Sequence, residues 1–169
     1  MATVKKTLTA EKKSLPARDT SRKAYDATAL LRADHKKVSD LFAEYDKARS
    51  SAKKMDLVSQ ICTELSMHAQ VEEEIFYPAV KLALKDKALV PEATVEHATL
   101  KALIAQVEGV IPDGEIFDAK IKVLSEYVKH HVKEEQNEMF PKASASKVDM
   151  MELGDRLAAR KAQLLAQRL

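Results

Sequence analysis

The chain is poor in the residues that make turns and cross-links. Of 169 residues only three are glycine and five are proline, against 25 alanines and 18 leucines. Sheets joined by tight turns, collagen-like repeats and glycine-rich nucleotide loops all need more of both. Tryptophan is absent and cysteine occurs once, as Cys62. A single thiol excludes an internal disulfide and any zinc cage built on cysteines. No apolar run approaches the ~18 residues of a membrane span, and the N-terminus lacks a signal-peptide apolar core. What remains is a reduced, soluble, cytoplasmic helical protein, long enough to bury a core.

What the chain does have is charge, unevenly placed. Residues 1–23 carry a net +5 and residues 142–169 a net +3, which leaves the stretch between them at −6. A nucleic-acid binder wants a basic face on its folded body, so neither nucleic acid nor membrane is expected as a partner. An acidic helical body suits a cation better. Composition divides the chain into a flexible basic tail over 1–23, a helical domain over 24–142 and a C-terminal amphipathic helix over 143–169.

Apolar residues at helical spacing predict four long helices. They run from about Tyr25 to Arg49, Lys54 to Lys85, Pro91 to Gly109 and Glu115 to Phe140. A last amphipathic segment from Asp149 to about Gln167 opens with a capping-box pattern, Asp149 and Glu152. Pro78 falls inside the second helix and should kink it or loosen one hydrogen bond. Long helices with short loops predict an all-α fold. The expected architecture is an antiparallel up-down-up-down four-helix bundle, with a disordered N-terminal tail and a short C-terminal helix.

The informative feature is an internal duplication. His68 and Glu72 are followed by Tyr77–Pro78, and 63 residues later His131 and Glu135 are followed by Phe140–Pro141. The preceding helices repeat too, Asp34–His35 answering Glu96–His97. Each half therefore supplies one lone histidine and one His-x-x-x-Glu. Residues i and i+4 lie one above the other on a helix face, so each motif aims an imidazole and a carboxylate the same way. Leu65, Ile75, Val128 and Met139 share those faces, which makes the direction inward. Two carboxylates buried face to face cost several kcal/mol unless something positive lies between them. No lysine or arginine falls on these stripes near them, so a metal cation is the natural partner. A single histidine on an apolar face is ordinarily a core residue; four of them, one per helix in a duplicated pattern, are not.

His35, His68, His97 and His131, with Glu72 and Glu135 as bridges, are thus the candidate ligands of two ions. Mixed imidazole and carboxylate suits iron or manganese, with zinc open. His130, about 100° around the helix from His131, is expected at the surface or behind the ligands. Asp34 and Glu96 precede their histidines and are expected as caps or solvated charges. Glu64 could orient the second ring nitrogen of His68, and Cys62 is expected as packing.

These residues resemble the hemerythrin-like proteins with the HHE cation-binding domain. The likeness covers Leu31 to Phe140, and Glu152–Arg156 resembles the short helix that commonly follows that domain. It implies a non-haem di-iron centre that binds O2, or a related diatomic ligand or peroxide. Oxygen-carrying members have a further histidine where this chain has Lys101, and their last carboxylate falls where it has Gln136. The chain is accordingly more similar to the branch that senses oxygen, nitric oxide or iron. A peroxide-decomposing enzyme is one alternative. A structural interaction module, docking or oligomerising through the basic C-terminal helix, is another.

Overall fold

The computed structural model describes residues 26–168; the expected tail over 1–23 lies outside them. Among the described residues all regular structure is helical. Helix α1, Ala27–Lys47, starts where the Asp26 carboxylate accepts a hydrogen bond from the Ala29 amide. Helix α2, Ser51–Val71, starts at Ser50, whose hydroxyl accepts from Lys53 N–H. The second helix therefore starts three residues before the expected Lys54. Helix α4, Leu89–Ala105, begins two residues before Pro91. That leaves the proline in the first turn, where a missing N–H costs nothing. Helix α5, Glu115–Glu134, follows Gly114, whose φ of 119° only glycine adopts readily. Helix α7, Met150–Ala166, is capped by Asp149, which accepts from the amides of Met151 and Glu152.

The duplication reappears as a paired irregularity. A π-helical turn, Glu72–Phe76, joins α2 to α3, Tyr77–Ala83; a second, Glu135–Met139, joins α5 to α6, Phe140–Ser144. In each, the amide of the following aromatic donates back five residues: Tyr77 to the Glu72 carbonyl, Phe140 to the Glu135 carbonyl. Pro78 and Pro141 come next, and the widened turn accommodates a ring that would clash in an unbroken α-helix. One extra residue in the turn advances everything after it around the axis. Phe76, Tyr77 and Val80 are buried, whereas Ile75, expected inward, is only partly so, as is Ala79 one turn on.

Two apolar clusters sandwich a polar layer. Leu31, Met67, Phe76 and Phe140 belong to one; Val38, Phe42, Leu65 and Leu124 belong to the other. Along α1 the order is Leu31, His35, Val38, so the histidines fall between the clusters. Helix α7 adds Leu153, Leu157 and Leu164 to the first cluster, spending its apolar face on the bundle. No helix among the described residues is long and apolar enough to cross a membrane.

Candidate metal centre

All six expected residues meet in that layer. The four imidazoles converge through Nε2: His35 and His68 approach to 3.0 Å, His97 and His131 to 3.1 Å. Glu72 Oε2 lies 3.2 Å from His68 Nε2 and 3.3 Å from His97 Nε2. Glu135 Oε2 lies 3.2 Å from His35 Nε2 and 3.6 Å from His131 Nε2. Each carboxylate thus touches one histidine of each pair. The ligand atoms of His35, His68, Glu72 and Glu135 form one compact group, and those of Glu72, His97 and His131 another.

Both carboxylates are fully enclosed, at 0% and 1% exposure. Among the described residues, neither Glu72 Oε1 nor Glu135 Oε2 has a hydrogen-bond donor. Buried carboxylate oxygens are rarely left so, because an unpaired one carries its whole desolvation cost. Burial, then the facing Glu135 charge, pushes the Glu72 carboxyl well above the usual range. Burial acts the same way on Glu135, but His35 and His131 outweigh it and hold that carboxyl at about 2. Burial depresses His35 and His97 to about 4, which keeps both imidazoles neutral and able to bind a cation. An oxygen-and-nitrogen donor set with two unpaired anionic oxygens fits a divalent ion.

A ring of outer side chains aims the imidazoles. His68 Nδ1 lies 3.3 Å from Asp34 Oδ2, His97 Nδ1 lies 3.0 Å from Glu73 Oε1, and His131 Nδ1 lies 2.6 Å from Glu96 Oε2. A carboxylate accepting at Nδ1 fixes the hydrogen there and turns the Nε2 lone pair inward. These carboxylates are held in turn: Asp34 by Lys161 of α7, Glu73 by both 2.7 Å bonds from Lys101. His35 differs. Its Nδ1 faces the amide nitrogen of Gln136 at 3.0 Å, because Arg32 donates to Gln136 Oε1 and to its backbone carbonyl. His35 is therefore the one imidazole of the four whose Nδ1 has no carboxylate to hold a hydrogen there.

Two expectations change here. Asp34 and Glu96 are not caps or solvated charges; each reaches across to the histidine of the next helix. Their phase relative to His35 and His97 hid this, since a residue off one helix's inward stripe can face its neighbour. Glu64 pairs with Lys37 rather than His68. His130 is exposed as expected, and Cys62 is buried with its thiol pushed up to about 12 by burial. Sequence reasoning missed Tyr77. Its hydroxyl donates to Glu135 Oε1 at 2.8 Å and lies 3.1 Å from His97 Nε2. The signal was the aromatic five residues after Glu72, where the other repeat has Phe140. Only the π turn brings that position inward.

Beside the histidines is a chamber of about 20 Å³, walled otherwise by Val38, Leu65, Leu100 and Val128. It has room for one molecule of about water's size.

Fold and site together define a helical bundle built to hold metal cations. The hemerythrin HHE cation binding domain matches residues 26–143, and the chain belongs to that family. A crystal structure of a hemerythrin HHE cation binding domain-containing protein from Mycobacterium kansasii has the same fold. Its TM-score is 0.75 at 21% identity, over 85% of this chain and 89% of that one. A protein of Nostoc sp. (strain PCC 7120) named DNA nickase is 30% identical over 111 residues. Those residues are 66% of this chain and 31% of that protein, so the chain spans about a third of that relative's length.

Proposed function

We propose that the protein is a non-haem di-iron protein that binds O2 or a related small ligand, serving oxygen, nitric oxide or iron sensing or storage. His35 and His68 would hold one ion and His97 and His131 the other, with Glu72 and Glu135 placed to serve both. The observation that carries this reading is the pair of unpaired buried oxygens, Glu72 Oε1 and Glu135 Oε2, amid four converging Nε2 atoms. Iron would supply reversible electron transfer and open coordination positions for a diatomic ligand; manganese and zinc share the donor preference. The protein's own share is to aim the imidazoles through Asp34, Glu73 and Glu96 and to exclude bulk water. The short connections at 48–50 and 106–114 support an up-down-up-down order for the helices.

The test is an absorption spectrum after anaerobic ferrous loading and exposure to air. An iron-loaded sample is expected to absorb in the near ultraviolet, where a zinc-loaded one does not. Identical spectra would remove the iron reading.

Tyr77 favours a second reading, a peroxide-decomposing enzyme. Burial and the two glutamates keep its hydroxyl protonated far above its ordinary range, so a fixed proton donor stands at the centre. Steady O2 release from peroxide that falls in Tyr77→Phe while iron content holds would promote it. The name of the Nostoc relative raises DNA, but the chamber of about 20 Å³ admits no phosphodiester. We propose that DNA is not a substrate; supercoiled plasmid should stay intact with the metal-loaded protein.

A further inference from the structure

A cleft of about 300 Å³ between α1 and the α5 end runs from the surface to His35. His35 and Gln136 line its inner end; Ser39, Lys129, Lys133 and Asn137 line the remainder of its polar wall. Every charged group on that wall is cationic. The ammonium, amide and hydroxyl groups there all offer hydrogens, and no carboxylate lines the cleft. This contrasts with the open groove on another face, over His131, where Glu92, Glu96 and Glu134 gather around His130. Phe76, Tyr77 and Phe140 are buried on one side, and α7 covers Asp34 through Lys161.

We propose that this cleft is a route by which small anions reach the metal layer, with Lys129 and Lys133 drawing them toward His35. The inference rests on the di-metal reading and goes beyond it by naming the route and the class of ligand. In a domain whose body is acidic, two exposed lysines at a concave mouth make a local positive field. Like-signed charge lining a cleft raises on-rates by ~10 to 10³-fold, more so at low ionic strength. A linear triatomic anion fits the cleft's volume, and nothing in it repels negative charge.

The test uses iron-loaded protein with azide as the probe, following its association by near-ultraviolet absorption at several salt concentrations. The double variant Lys129→Glu/Lys133→Glu should keep two ions per chain and bind azide at least ~10-fold more slowly at low salt, with the salt dependence reversed. A control, Glu92→Gln/Glu134→Gln, alters the acidic groove and should leave the rate within about twofold of the unaltered protein. The proposal is overturned if the lysine variant binds azide at the unaltered rate, or if protein holding two ions binds no azide. Fewer than two ions in the unaltered protein would instead sink the di-metal reading, before any azide is added.

Discussion

At the scale of single residues the two glutamates, equivalent by sequence, are not equivalent in the fold. Glu72 is pushed toward its protonated form, whereas Glu135 stays ionised against His35 and His131. Glu72→Gln should therefore stabilise the metal-free protein and should destroy the paired metal centre. Melting temperatures with and without metal check this, since the substitution should act with opposite signs in the two. Tyr77→Phe copies the residue at the matching position, Phe140. It removes the sole donor to Glu135 Oε1 and should cost about 1–3 kcal/mol by denaturant unfolding without abolishing metal binding. Gln136→Glu should do the reverse of weakening. It gives His35 a carboxylate acceptor at Nδ1, as the other three histidines already have, and should tighten the ion on His35 and His68. Titration calorimetry with zinc checks it; an unchanged affinity would mean that the Arg32-held amide does not matter. Spacing alone exposed the six inward residues, because i and i+4 share a face in any α-helix. The outer carboxylates were illegible, because Asp34 and Glu96 act across helices.

At the scale of elements, the π turns carry the most information that periodicity could not supply. A 3.6-residue repeat read straight through Glu72 places Ile75 and Ala79 inside, and the widened turn places Phe76, Tyr77 and Val80 there instead. The prolines were visible, and a local disturbance was expected at Pro78. Its form was not, since a kink and a five-residue turn satisfy the same missing N–H. Helix α7 was visible as an amphipathic segment, but which surface it covered was not. It contributes Leu157, wholly buried, to the first apolar cluster, and it reaches the metal layer through Lys161 and Asp34. Leu157→Ala should cost about 2–5 kcal/mol in denaturant unfolding. A loss below about 1 kcal/mol would mean that α7 is a loosely held appendage.

At the scale of the whole molecule, the buried ionisable layer makes metal-free stability depend on pH. His35 and His97 fall to about 4 in the folded protein, from 6.5. Between those values the unfolded chain binds two protons that the folded one refuses, so acidification favours unfolding. Glu72 opposes this, because its raised carboxyl keeps a proton in the folded state that the unfolded chain releases above 4.5. The two histidines outnumber the one carboxyl, so metal-free stability should fall as the pH drops from 6.5 toward 4.5. Denaturant unfolding across that window checks the slope. The same layer explains why an acidic helical body with almost no glycine tolerates two enclosed carboxylates at all. They are a standing cost in the empty protein and a source of stability once cations lie between them. The central claim is that Glu72, Glu135 and the four histidines hold two ions, and metal content tests it most directly. After anaerobic ferrous loading and desalting, elemental analysis should find two irons per chain, with the paired centre lost in Glu72→Gln. Fewer than two irons per chain in the unaltered protein, or unchanged content in Glu72→Gln, would contradict it.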